Sequence, residues 1–284
     1  MSKLAPIAIL LAASAVMAGC SKNYTAYALT STGSLIQFST NNPSSINSTV
    51  TVTLASPIVS GDTVVRMAAQ PGTTTLYCIT ADGYLCTIDA GTGAATLVGT
   101  QPFTENLGNG SNTTKLTNPV ISFDPVGGDL RVISSGFNLL VDLTGTNPAI
   151  AESQVGYDSS DGNHGTAPAL GGIAYQNPVT GASTTTLYAL DSATSSLVRI
   201  GDANVGNPTS PNTGDMHTIG SLNASLSVTN TGFAIGPSDG KGYASLQNGS
   251  APILYTVDLG AGTLASLGTI GDGTLTITSL VINP

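Results

Sequence analysis

The stretch Leu76-Tyr77-Cys78-Ile79-Thr80-Ala81-Asp82-Gly83-Tyr84-Leu85-Cys86-Thr87-Ile88-Asp89-Ala90-Gly91-Thr92-Gly93-Ala94-Ala95-Thr96-Leu97-Val98-Gly99 decides the fold. It holds three short runs rich in β-branched and apolar residues. Asp82-Gly83 ends the first and Ala90-Gly91-Thr92-Gly93 ends the second. Runs of four to six residues punctuated by such pairs read as strands joined by tight turns. Thr63-Val64-Val65-Arg66-Met67-Ala68-Ala69-Gln70-Pro71 precedes them as a further strand closed by Pro. The unit is therefore four strands.

The unit recurs. A second copy runs Val120–Pro125, Asp129–Ser134 and Phe137–Asp142, with a weakly marked fourth strand around Ala149 to Val155. A third runs Gly172–Tyr175, Thr186–Asp191, Leu197–Ile200 and His217–Gly220. A fourth runs Gly232–Pro237, Gly242–Leu246, Ile253–Asp258 and Leu264–Gly268. The C-terminal part adds a first strand only, Ile277–Ile282. The N-terminal part adds the other three, Ala26–Leu29, Ser34–Phe38 and Thr49–Leu54, so together they make a fifth unit. Tyr27, Tyr77, Arg131, Tyr188 and Tyr243 are separated by steps of 50, 54, 57 and 55 residues. Four-stranded units at this period predict an all-β chain, a five-bladed β-propeller whose last blade is closed by both termini. An open solenoid would need capping repeats instead. No helical periodicity appears after the first twenty residues.

Those first residues carry a different signal. Lys3 precedes an apolar run, Leu4 to Met17, and small residues follow. This order is an export signal, and the run is shorter than the ~20 residues a spanning helix needs. Val16-Met17-Ala18-Gly19-Cys20 resembles a bacterial lipobox, with Met17 where Leu is usual. The resemblance implies cleavage after residue 19, acylation of Cys20 and a short tether over residues 20–23. Two or more acyl chains hold a protein stably on a membrane. Ser21 after the Cys implies outer-membrane sorting in a diderm cell. The expected organisation is a signal peptide over 1–19, the lipidated tether, and one propeller domain over 24–284.

With Cys20 acylated, Cys78 and Cys86 remain as a pair in an oxidising compartment. A three-residue loop at Ala81-Asp82-Gly83 sets them opposite each other, with Cβ atoms ~4.5–5.5 Å apart. A two-residue Asp82-Gly83 turn would put Ile79 opposite Cys86 and forbid a bridge. Both registers fit the residues.

Composition narrows the function. Of 284 residues, 8% are charged, with 7 Lys and Arg against 16 Asp and Glu; loss of residues 1–19 removes Lys3 and takes the formal charge from -9 to -10. Such a chain lacks the basic patch that nucleic acid requires. The two histidines, His164 and His217, have no metal-ligand spacing, and no nucleophile elbow or phosphate loop is present. No catalytic residue, metal or cofactor is therefore expected. Asp89, Asp142, Asp191 and Asp258 are read as ending third strands before turns, where a carboxylate caps the backbone. Tyr157-Asp158-Ser159-Ser160-Asp161-Gly162-Asn163-His164-Gly165 is the densest polar segment, but it lacks calcium-loop spacing. It and Gln101–Asn118 join a last strand to the next first strand. On that basis Glu105, Lys115, Asp158, Asp161, Asn163 and His164 are expected to share one binding face at the channel mouth.

The repeat resembles the domain-of-unknown-function 4394 family. Leu76–Gly99 carries the likeness, as do Phe123-Asp124-Pro125 with Asp129–Ser134, and Gly181–Tyr188 with Asp191. It spans nearly the whole mature chain. Val141-Asp142-Leu143-Thr144-Gly145 departs from it, because the family more often has Arg and Asn near that turn. The family implies no activity and no functional residues. Two functions stay open. One is a non-catalytic envelope module, anchored through Cys20, that binds or scaffolds a protein or glycan. The other is a glycan or lactone hydrolase, which needs paired carboxylates at the channel mouth.

Overall fold

The computed structural model describes residues 22–55, 61–99, 102–104, 115–135, 137–144, 149–201 and 210–283. The signal segment, Cys20 and Glu105 lie outside the described residues. In chain order the strands are β1 (Thr25–Thr30), β2 (Ser34–Ser39), β3 (Asn42–Thr51), β4 (Thr53–Leu54), β5 (Val64–Ala69), β6 (Leu76–Thr80), β7 (Leu85–Ile88) and β8 (Ala94–Leu97). There follow β9 (Val120–Phe123), β10 (Leu130–Ser134), β11 (Phe137–Val141), β12 (Ile150–Ala151), β13 (Gly156–Tyr157), β14 (Leu170–Tyr175), β15 (Leu187–Asp191), β16 (Ser196–Ile200) and β17 (Asp215–Ser221). The last are β18 (Thr231–Ile235), β19 (Gly242–Asn248), β20 (Ala251–Val257), β21 (Leu264–Thr269) and β22 (Ile277–Asn283).

They form five sheets, ordered from the inner strand outward as β5-β6-β7-β8-β4, β9-β10-β11-β12, β14-β15-β16-β17-β13, β18-β19-β20-β21 and β22-β1-β2-β3. These are blades one to four and the closing blade, in which β22 pairs with β1 from Thr25↔Asn283 to Thr30↔Ile277. Each inner strand packs on the next, β5 on β9, β9 on β14, β14 on β18, β18 on β22 and β22 on β5, so the ring is closed.

Burial explains the ring. Strands apolar on both faces must be covered on both faces. Five apolar clusters do this, one at each junction between blades. Leu130 and Val132 meet Ile79 and Leu85 between blades one and two. Ile133 meets Tyr175 between two and three, and Leu190 meets Phe233 between three and four. Phe38 meets Tyr243, and Leu35 meets Leu76, on the two sides of the closing blade. Gly232 lets β18 approach β22, since a Cβ there would lie 2.6 Å from the backbone nitrogen of Leu280.

Two details differ from the sequence reading. The expected strand Thr49–Leu54 breaks at Val52. Beyond Thr51, β2 has no residue left to pair with, because Ser34 is opposite Thr51. The chain crosses instead to blade one, where β4 runs parallel to β8. Gly93 permits the crossing at φ +77°, and a Cβ there would lie 2.2 Å from the Thr51 carbonyl oxygen. β13 makes the same parallel addition to β17, so two blades carry a fifth strand. Asp191, grouped above with aspartates ending third strands, ends the second strand of its blade.

Candidate functional site

Cys78 and Cys86 are directly opposite, with Ile79 opposite Leu85, which is the three-residue loop register. Their Cα atoms are 5.0 Å apart and a disulfide joins them. The bridge ties β6 to β7 inside blade one. It lies among buried apolar residues and presents no surface.

The aspartates serve the backbone. The Asp89 carboxylate accepts from the amides of Gly91 and Thr92 at 2.9 and 2.8 Å, and Asp258 accepts from Gly260 and Ala261 at 2.8 and 3.2 Å. Asp142 accepts from the Thr144 amide at 2.9 Å. Asp191 is fully buried and does more. It accepts from the Ala169 and Ala193 amides at 2.7 and 3.1 Å, from the Thr194 hydroxyl at 3.0 Å and from the Tyr157 hydroxyl at 2.5 Å. Burial first, and this carboxylate second, push the Tyr157 hydroxyl well above its ordinary pKa.

Of the six expected face residues, Glu105 lies outside the described residues, and the other five do not gather at the channel mouth. Asp158, Asp161, Asn163 and His164 do come together, but on the outer part of blade three. Asp161 accepts from the Thr218 amide and hydroxyl at 2.6 and 2.9 Å, and Asn163 Nδ2 donates to the same hydroxyl at 2.9 Å. Asp158 accepts from the Ser160 amide at 2.8 Å, and His164 Nδ1 donates to the Tyr157 carbonyl at 3.1 Å. The Ser160 hydroxyl and amide hold Asp158 below the usual carboxylate range. Burial works against ionisation at Asp161, but donors from Thr218 and Asn163 outweigh it, and its pKa is lowered too. These side chains are thus engaged in folding the segment onto β17. Lys115 sits in blade one's surroundings, 2.9 Å from Asp82, with blade two between it and the others. Among the described residues, no group of three or more His, Cys, Asp or Glu side chains converges as metal ligands would.

The channel mouth is built from other residues. The starts of β5 and β22 and the segments entering β9 and β18 surround a cavity of about 570 Å³. Its walls include Thr30, Ser31, Thr32, Thr63, Asn118, Thr229, Asn230 and Thr278, and among the described residues no Asp or Glu lines it. Three inner strands bulge at this end, with Val65, Gly171 and Thr278 as the extra residues. Bulges at a rim re-aim side chains, and here Val65 and Thr278 enter the cavity wall. Asn118 holds φ at +47° beside Pro119, a left-handed conformation that Asn tolerates better than most residues.

Arg66, on the bulged part of β5, lines the same cavity and is 5% exposed. Its Nε donates to the Pro119 carbonyl at 2.6 Å, Nη1 to Thr231 at 3.3 Å and Nη2 to Val228 at 3.0 Å. One guanidinium therefore spans from blade one to the segments entering blades two and four. Burial pulls its pKa down to about 10, so it stays cationic at neutral pH. Arg66 is not among the residues the sequence singles out. The available signal was a charge inside the apolar run Val64-Val65-Arg66-Met67-Ala68.

Comparisons with known proteins agree with this architecture. A structural genomics protein of unknown function from Bacteroides thetaiotaomicron VPI-5482 is similar at TM-score 0.51 and 15% identity; the match covers 92% of this chain and 65% of that one. YCF48 from Cyanidioschyzon merolae is similar at TM-score 0.40 and 14% identity, covering 90% of this chain and 78% of that one. No curated protein matches. Residues 34–280 match the model of the domain of unknown function DUF4394, and the chain belongs to that family.

Proposed function

We propose that the chain is an exported lipoprotein of the bacterial cell envelope, held on the outer membrane through acylated Cys20, whose propeller binds a ligand without transforming it. The observation that carries the binding reading is the mouth cavity, concave and walled by hydroxyl and amide groups, with no carboxylate among the described residues of its lining. Cavities of this size that converge a few polar groups suit small polar ligands. Glycoside hydrolysis needs two carboxylates, ~5–5.5 Å apart for retention or ~6.5–9.5 Å for inversion. The described lining of the cavity supplies neither, and Glu152 lies just beyond β12 at the outer edge of blade two, so binding is the better reading.

The anchor and the site are tested on one set of proteins. In a diderm host fed labelled palmitate, the wild-type chain is expected in the membrane fraction with label, and Cys20→Ala without it. Equal labelling of both removes the anchor. Soluble envelope extract is then expected to raise the melting temperature of the wild type, as any ligand specific to the native state does. Ser31 is exposed at the cavity wall, and Ser31→Trp should fill the mouth and abolish the shift. Equal shifts in the two proteins would rule the cavity out as the binding site.

A further inference from the structure

We propose that the mouth cavity takes a carboxylate-bearing polar ligand, an acidic sugar by class, seated with its carboxylate on Arg66. The inference rests on the binding reading of this cavity and adds the charge and class of its occupant.

The hydrogen-bond partners of Arg66 are an incomplete set. A guanidinium has five N–H donors. Arg66 gives three of them to backbone carbonyls, at Pro119, Thr231 and Val228. That leaves one N–H on each terminal nitrogen without a partner among the described residues. Carbonyl oxygens carry no charge, so they solvate the cation without neutralising it. Among the described residues no carboxylate pairs with it; Asp82 pairs with Lys115 instead. Burial is the cause of its lowered pKa, with no carboxylate offsetting it. A buried ion left unpaired is destabilising, and the fold keeps this one at the wall of an open cavity.

The shape of the donor selects the acceptor. Two N–H groups on one planar fork match the two oxygens of a carboxylate, and such pairs are the strong, directional ones. A single cation matches a monoanion better than a doubly charged phosphate. The rest of the wall selects the body of the ligand. Thr229, Asn230, Asn118, Thr32 and Ser31 offer hydroxyls and amides, which exchange hydrogen bonds with the hydroxyls of a sugar.

The test uses the full-length chain in detergent, titrated calorimetrically with glucuronate, glucose and inorganic phosphate. Glucuronate is expected to bind at least about tenfold more tightly than glucose, the ratio that ~1.4 kcal/mol of differential affinity gives. Arg66→Lys keeps the charge but loses the fork, and should remove most of that preference. Ser31→Trp should weaken glucuronate by a similar factor while melting like the wild type, and it decides the matter if Arg66→Lys fails to fold. Equal affinity for glucose and glucuronate would overturn the charge inference and leave a neutral binding site. Tighter binding of phosphate would overturn the carboxylate assignment. No binding of glucuronate by the wild type would overturn the proposal outright. By contrast, the extract experiment above compares wild type with Ser31→Trp and so reads the cavity as a binding site whatever the charge of its ligand.

Discussion

A chain ending at Gly273 is expected not to fold. The cut removes β22, the inner strand of the closing blade. Ile277, Leu280, Val281 and Ile282 are 1%, 3%, 4% and 6% exposed, so all four leave the core. Burying one such side chain contributes about 1.5–3 kcal/mol, or roughly 6–12 kcal/mol together. That is comparable to the whole stability of a typical domain, about 5–15 kcal/mol. The loss is spread around the ring. β5 loses its inner-strand neighbour, including the Ser279 hydroxyl bonded to the Met67 amide and carbonyl at 3.2 and 3.1 Å. β18 loses β22 on its other side. The expected result is loss of the cooperative melt by circular dichroism and rapid proteolysis. Moving residues 274–284 ahead of residue 22 should restore folding, because Thr25 and Asn283 are already paired and a hairpin can join them. A truncated chain that melts cooperatively near the wild-type temperature would mean that the ring does not need its closure.

Arg131→Met is expected to lower the melting temperature by about 10 °C, through a loss of roughly 4 kcal/mol. Arg131 is 1% exposed. Its Nε donates to the Tyr175 hydroxyl at 2.7 Å, Nη1 to Asn138 Oδ1 at 2.6 Å and Nη2 to Asn212 Oδ1 at 2.5 Å. Asn138 in turn donates to the carbonyls of Ser153 and Pro211 at 2.9 and 3.0 Å. The network ties blade two to the inner strand and outer loop of blade three. Met preserves the apolar stem but strands three acceptors in a buried setting, and an unmade buried bond costs more than a made one contributes. Burial is also what pushes the Tyr175 hydroxyl up to about 12, so it stays protonated. Arg199 is the control. It is half-buried and its Nε has no partner among the described residues, so Arg199→Met should cost less than about 1 kcal/mol. Similar melting of the two variants would show that the hydrogen bonds of Arg131 do not carry the junction.

Much of the architecture was legible because it is local. Asp82-Gly83 and Ala90-Gly91-Thr92-Gly93 mark turns by their own chemistry, and the runs between them are the strands β6, β7 and β8. Splitting the last unit between Ile277–Ile282 and Ala26–Leu54 followed from counting. The candidate site was not legible, because its parts are neighbours only in three dimensions. The carbonyls that receive Arg66 belong to residues 119, 228 and 231. Nothing in Val64-Val65-Arg66 shows that Val65 is an extra residue relative to β6, which helps to direct the arginine. The polar segment 157–165 misled for the opposite reason. Its carboxylates are conspicuous in sequence, yet Thr218, more than fifty residues on, occupies Asp161.

The pairing of Thr25 with Asn283 also sets how the molecule responds to force. Both chain ends leave the closing blade at the same end of one antiparallel pair. Tension applied between them loads the β1–β22 ladder one hydrogen bond at a time, as a zipper, and never in parallel shear. The ring held together by five packed junctions would then open at low load from a single seam. Pulling instead between points in blades two and three leaves that seam out of the load path, and the same molecule should hold far longer.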